Sequence, residues 1–345
     1  MKVLVASALI LIGSCSTLRH SEKIDNLKNS ISYDDETVVN QYLNTIDPEE
    51  LKIHIEEVSS DKYKGRMTGE EGHNQVCDYI RNYYKSQSIK APETHPDYYQ
   101  KVPKDALPDE LNESQNVIAY IEGSEFPDEY VYISAHSDHE GIIDGEIYPG
   151  ADDNGSGTAA VLEMAEAFKK AVENGHRPKR SVVFLHVTAE EVGLHGSRYY
   201  TNNPIFSIEN TVATLNIDMI GRVDERNKEK NNENYIYVIG ADRISTELDF
   251  IIQEANSEFV NLDLDYKFND ERDTNRYYYR SDHYNFALKG VPVVFFFNGE
   301  HEDYTKPTDT ADKINYQLLA KRTKLIFATA WYLANSPNRL TVEVI

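Results

Sequence analysis

Cysteine is nearly absent from this chain of 345 residues, which holds only Cys15 and Cys77. Basic residues are outnumbered, 35 Lys and Arg against 58 Asp and Glu, for a formal net charge of -23. That balance argues against nucleic-acid binding, which needs a basic face, and against an electrostatic grip on anionic lipid. Simple solubility accounts for most of it. A long hydrophobic run is missing at the N-terminus, where the apolar stretch Val3 to Ile12 is too short to span a bilayer as a helix. What remains is globular composition, 40% hydrophobic, with length for one large core or a core plus a small appendage. No internal repeat is visible.

Lys2, the apolar stretch and the polar residues that follow Cys15 read as a secretory signal. Ile12-Gly13-Ser14-Cys15 resembles the lipobox of bacterial lipoproteins. That implies cleavage before Cys15, lipid on its sulfur, and an exported protein held at the membrane without a spanning helix, facing the periplasm or cell surface. The alternative is a plain signal peptide with a chance cysteine. Removal or lipidation of Cys15 leaves Cys77 alone, so no intramolecular disulfide is expected. Cys77 falls in a helical pattern with Val76, Ile80, Tyr83 and Tyr84 and reads as core rather than nucleophile. The expected division is a signal over 1–15, a tether with a fraying helix over 16–45, and a single domain over 46–345 whose motif-bearing core is 116–345.

Asp47-Pro48-Glu49-Glu50 is a helix start, and the spacing predicts a second helix over about 72–86. Residues 91–113 read as an irregular connection. Strands are expected at 117–121, 130–133, 181–185, 211–217, 235–239 and 292–297, with helices over 156–172 and 316–335 and an exposed loop over 224–234. Near-continuous apolar strands alternating with helices predict an α/β protein with a buried, mostly parallel sheet covered on both faces. The first two strands, separated by a turn, are expected to pair as a hairpin and make the sheet mixed.

Several of these strands end in acids or histidine. His136 and Asp138 lie two apart and face the same side, about 7 Å apart at Cα. His136 can ligate a metal through one nitrogen while Asp138 orients its ring. In Gly150-Ala151-Asp152-Asp153-Asn154-Gly155-Ser156-Gly157 two carboxylates precede a helix. A helix cap needs only one, so a carboxylate bridging two metals fits the surplus. Adjacent Glu190 and Glu191 repel unless their tasks differ, one as ligand and one as general base toward water activated by an ion. Asp218 closes another apolar strand and again needs a cationic partner. His186, inside a strand, reads as a core histidine, and His176 and His195 as loop residues.

These segments occur in order with Arg280-Ser281-Asp282-His283 and Asp303-Tyr304-Thr305-Lys306-Pro307-Thr308-Asp309-Thr310. Together they resemble the co-catalytic zinc aminopeptidase family, whose relatives include glutamate carboxypeptidase and glutaminyl cyclase. The likeness covers about Asn116 to the C-terminus, with a weaker echo at Gly65-Arg66-Met67-Thr68-Gly69. It implies a three-layer αβα sandwich with two zinc ions. His136 and Asp218 would hold one ion, Glu191 the other, and Asp153 would bridge them. Glu190 would be the general base, Tyr304 would stabilise the oxyanion, and the Asp153–Asn154 peptide would be cis.

One departure stands out. The family reads Asp-Tyr-His where this chain has Asp303-Tyr304-Thr305, and that histidine completes the second zinc site. Threonine is a poor zinc ligand. His301, four residues upstream, is one candidate substitute, although relatives often carry a histidine there beside the ligand. One zinc is therefore expected and the second is left open. The resemblance implies an exopeptidase that hydrolyses N-terminal residues from peptides. The rivals are a cyclase-like or carboxypeptidase-like relative and a weakened binding protein on the same scaffold. Asp282, His283 and the tyrosines at 277–279 would either line the substrate pocket or pack at a helix start.

Overall fold

Strands that are apolar at successive positions have two faces to bury, and here they make the middle layer of the molecule. The computed structural model describes residues 20–343, so the expected signal and Cys15 lie outside the described residues. The strands are β1 (Tyr99–Val102), β2 (Ser114–Ile121), β3 (Phe126–His136), β4 (Gly141–Ile143), β5 (Glu146–Tyr148), β6 (Arg180–Val187), β7 (Thr211–Ile217), β8 (Tyr235–Ile239), β9 (Asp263–Asp265) and β10 (Val293–Phe297). Eight form one mixed sheet in the order β1-β2-β6-β3-β7-β10-β8-β9, and β4 with β5 forms a small separate hairpin. The central neighbours β6, β3, β7 and β10 all run parallel.

Helices cover both faces. Tyr132 pairs in register with Val183, and Ile133 with Phe184. Side chains alternate along a strand, so Tyr132 and Phe184 point to opposite faces. Phe184 meets Phe168 of the helix Gly157–Glu173, which in turn meets Phe327 and Trp331 of the helix Tyr316–Asn335. Tyr132 meets Tyr200 of the helix His195–Asn202 and Phe286 of the helix His283–Ala287. The result is the expected three-layer αβα sandwich. Among the described residues no helix is long and apolar enough to cross a membrane.

Four local expectations change. β2 and β3 do not form a hairpin, because β6 lies between them, antiparallel to β2 and parallel to β3. All eight residues of β6 are buried, and a strand buried on both faces must also have its backbone paired along both edges. The segment 91–113 contains β1, which extends the sheet beside β2. Residues 224–234 are not simply an exposed loop. Asp224 caps the short helix Glu225–Glu229 by accepting from the Asn227 amide at 2.9 Å, and the Tyr237 hydroxyl reaches Asp224 at 2.7 Å. The stretch expected as tether is ordered into the domain over 31–43. Val39, Tyr42 and Leu43, at helical spacing, are buried, and the Trp331 indole donates to Asp35 at 2.9 Å. Cys77 is buried in the helix Glu71–Ser86, where burial pushes its thiol up to about 12.

Phe168 joins the sheet to its covering helices, with ring centroids 4.7 Å from Phe327, 5.7 Å from Trp331 and 6.2 Å from Phe184. Phe168→Ala is expected to lower unfolding free energy by about 3–5 kcal/mol in chemical denaturation; a loss below about 1 kcal/mol would mean this contact does not tie the layers together.

Candidate metal centre

β6, β3 and β7 are adjacent and parallel, so their C-terminal ends share one sheet edge. In open α/β sheets that edge is where ligands bind. β3 ends on His136, β7 is followed by Asp218, and β6 by the turn carrying Glu190 and Glu191. The helix that follows the Asp152–Asp153 turn starts below the same edge.

The His136 imidazole is buried. Its Nδ1 lies 3.2 Å from the Asp138 carbonyl, which can only accept, so Nδ1 carries a proton and Nε2 is the nitrogen shown to the acids. Nε2 is 3.3 Å from Asp218 Oδ1 and 3.4 Å from Asp153 Oδ1. The donor atoms of His136, Asp153 and Asp218 lie within 4.8 Å of one another, as do those of His136, Glu190 and Glu191. A third group contains His139, Asp153 and Glu191. His139 Nδ1 is 2.6 Å from Glu191 Oε1 and 3.9 Å from Asp153 Oδ2.

Burial and crowding set the charges. Burial raises Asp153 to about 6, with Glu191 adding repulsion. Burial likewise raises Glu191 to about 8 and pushes Glu190 well above the usual carboxylate range. Burial disfavours the charged form of His136, but Asp218, Glu190 and Asp153 outweigh it and hold its pKa well above the usual value. Such a set of hard oxygen and imidazole donors suits zinc. A divalent cation among them would favour every carboxylate in its ionised form.

Hydrogen bonds hold each group in place. The Ser281 hydroxyl donates to Asp218 Oδ2 at 2.7 Å and accepts from the Asn216 amide at 2.8 Å. Asp138 does more than face His136, whose Nδ1 is 3.7 Å from its Oδ1. It also accepts from the Glu190 amide at 3.3 Å and from the Thr68 hydroxyl at 2.8 Å. In the Asp152–Asp153 turn the two acids separate. Asp152 accepts from the Gly221 amide at 2.7 Å and faces His301 Nε2 at 3.2 Å, whereas Asp153 turns to the histidines. Asn154 donates to the Ile217 carbonyl at 2.8 Å and accepts from the Gly157 amide at 2.9 Å, tying this turn to β7. A Cβ on Gly157 would come within 2.2 Å of the Asn154 oxygen, so only glycine leaves room for that bond. The Asp153–Asn154 peptide is cis, as the resemblance implied.

Tyr304 is half-buried, its hydroxyl 3.4 Å from Arg280 Nη2. It shares a cleft with Glu190, Glu191, Asp218, Tyr277 and Arg280. The cleft widens beside Tyr279 and Arg198 into a cavity of about 500 Å³. Of the residues expected around the pocket, Tyr277 and Tyr279 line it. His283 is buried and stacks on Phe295 at 5.0 Å, and Asp282 is buried, its carboxyl raised to about 7 by burial.

Three findings depart from the sequence expectation. His301, the candidate second-site ligand, is engaged with Asp152 and belongs to none of the three groups. His139 was overlooked, although it stands three residues after His136 in His136-Ser137-Asp138-His139. The loop at Gly65–Gly69 also proves structural. Buried Arg66 donates to the carbonyls of Ser137 and Gly150 at 3.1 Å and of Asp153 at 3.3 Å, and to that of Pro149, clamping both metal-facing loops.

A family profile described as peptidase family M28 matches residues 116–330. A probable zinc metalloprotease of Pyricularia oryzae is 27% identical over 305 residues, which is 77% of this chain and 58% of that protein. The chain thus spans a little over half the length of that relative. A probable aminopeptidase of Saccharomyces cerevisiae is 26% identical over 335 residues, 89% of this chain and 86% of that protein. Among solved structures, the LapA aminopeptidase of Legionella pneumophila matches with a TM-score of 0.66 at 19% identity, over 98% of this chain and 81% of that one. Glutaminyl cyclase of Porphyromonas gingivalis matches at 0.65 and 15%, over 82% and 97%. Likeness at these identities establishes the common fold. The profile match covers more than half the chain and falls on the segments that build the metal-facing edge, so this chain belongs to peptidase family M28.

Proposed function

We propose that this chain is a zinc-dependent exopeptidase that removes N-terminal residues from peptides. The observation that carries this reading is the placement of Glu190, a half-buried carboxylate that lines a cleft beside the His136–Asp153–Asp218 donor set. His136, Asp153 and Asp218 would hold zinc. When bound, zinc supplies Lewis-acid activation of water and of the scissile carbonyl.

Glu190 accepts the proton of the attacking water and passes it to the leaving amine. Burial raises its carboxyl above the usual range, the direction that favours proton uptake. Asp138 fixes the Glu190 backbone and faces His136, so it acts by positioning both. Tyr304, whose hydroxyl burial keeps protonated, donates toward the developing oxyanion. In the inner cleft Asp153, Glu190, Glu191, Asp218 and Glu300 outnumber Arg280, a balance that favours the α-ammonium group of a peptide N-terminus over a C-terminal carboxylate. Hydrolysis of aminoacyl anilides, with no turnover of N-acylated peptides, supports this choice. Preferential release of pyroglutamate from N-terminal glutamine would replace it with a cyclase. The lipobox-like Ile12–Cys15 supports export and anchoring at Cys15; labelling with palmitate in cells should vanish in Cys15→Ala, and persistent labelling would refute the anchor.

Glu190→Gln is expected to lower turnover by about 10²–10⁴-fold at unchanged zinc content; near-normal turnover would remove Glu190 from the mechanism. The raised carboxyl pKa values give a second test. Carboxyls raised in the folded state add stability below about pH 4, where both states are protonated, and lose it as pH rises through the folded values. For Asp153, Asp282 and Glu191 those values are about 6, 7 and 8. The chelated protein should therefore melt several degrees lower at pH 8 than at pH 5, and zinc should restore most of the loss at pH 8. An unchanged melting temperature on zinc addition would contradict a metal centre here.

A further inference from the structure

Thr305 cannot act as the family histidine would, because a neutral hydroxyl is a poor zinc ligand. A histidine does face the second half of the centre, from the loop after β3, with His139 Nδ1 2.6 Å from Glu191 Oε1. We propose that His139 supplies the missing ligand, so that His139, Glu191 and Asp153 hold a second zinc beside the one held by His136, Asp218 and Asp153. This rests on the zinc-peptidase reading above and changes its second ligand set.

Three observations support it. The first is how Asp153 divides its oxygens. Oδ1 is 3.4 Å from His136 Nε2 and Oδ2 is 3.9 Å from His139 Nδ1, so one carboxylate presents one oxygen to each imidazole. A bridging ligand requires that arrangement. The second is spacing. Ligand bonds of about 2.0–2.2 Å put two donors of one tetrahedral zinc roughly 3.4 Å apart. The contacts of His139 Nδ1, 2.6 Å to Glu191 and 3.9 Å to Asp153, straddle that value.

The third is how His139 is held. Its ring is fully buried and its backbone amide donates to the Arg66 carbonyl at 3.1 Å. A Cβ on Gly150 would sit 2.5 Å and 2.6 Å from ring carbons Cδ2 and Cγ, and Gly150 has φ 57, so glycine at this position makes the room for the imidazole. Nε2 is buried without a hydrogen-bond partner among the described residues. The polar contacts of the ring therefore run from Nδ1 into the acid cluster.

The test is zinc content per chain, after dialysis and resupply with zinc alone, beside X-ray absorption at the zinc edge. Wild type should bind two zinc ions with an average of one imidazole per ion. His139→Ala should bind one, Thr305→His should stay at two, and the double variant His139→Ala/Thr305→His should regain two. One zinc in wild type, or two in His139→Ala, overturns the proposal and leaves the first site intact. Two ions averaging half an imidazole each would also overturn it, and that measurement needs only wild type should His139→Ala fail to fold. No zinc in wild type would overturn the underlying zinc-peptidase reading instead.

Discussion

Asp153, Glu190, Glu191 and Asp218 are drawn out of water onto one edge of a sheet, and their mutual repulsion is the constraint around which the rest of the molecule is arranged. Carboxylates desolvated without compensation cost several kcal/mol each. The ion pairs of this set run to two imidazoles, His136 and His139, rather than to lysine or arginine. Imidazole compensates charge only when protonated, whereas as a neutral base it completes a metal site. A cation held by these donors would relieve repulsion and satisfy the nitrogens together. Burial, with repulsion from Asp218 and Glu191, also raises the Glu190 carboxyl well above its usual range.

Holding repelling groups in place falls to the scaffold. Parallel strands bring three chain segments to a common edge, and side-chain bonds then lock the turns that leave it. Arg66 is central to this. Its guanidinium binds the carbonyls of Ser137, Gly150 and Asp153, so one buried cation joins the loop after β3 to the turn that carries Asp153. Thr68, two residues later, donates to Asp138 and accepts from the Ala189 amide, linking the loop after β3 to the Glu190 turn. Asp309 accepts from the amides of Asp152 and Asp153 at 3.0 and 3.1 Å, bringing in the C-terminal motif. A short segment outside the metal-ligand motifs thus sets their relative positions.

Much of this was legible along the chain because periodicity and residue type act locally. The strand Thr211–Ile217, the strand Tyr235–Ile239 and the helix Tyr316–Asn335 fall where apolar patterning puts them. So do the acids that end the strands, since a charge after a buried run demands a partner wherever the strand lies. The pairing of β2 was not legible. A turn of suitable length permits a hairpin, and the insertion of β6 depends on which strands need both edges covered. The burial of residues 31–43 was equally hidden, because Val39, Tyr42 and Leu43 make a short apolar stripe whose partner, Trp331, is nearly 300 residues away.

The sequence by itself determined the chemical character of this protein: an α/β chain whose strands lead into histidine and acidic residues in the order of an M28 peptidase. Those properties follow from residue types at fixed spacing, and spacing survives in one dimension. Which histidine stands opposite Glu191 was decided only by tertiary structure. His139, His301 and Thr305 are separated from Glu191 by tens of residues or more, and nothing in their local patterns ranks them. The turn at Gly150 makes room for one imidazole, Asp152 engages another, and Thr305 stays at the surface. Ligand choice is a matter of angstroms between distant segments, and only packing sets those distances.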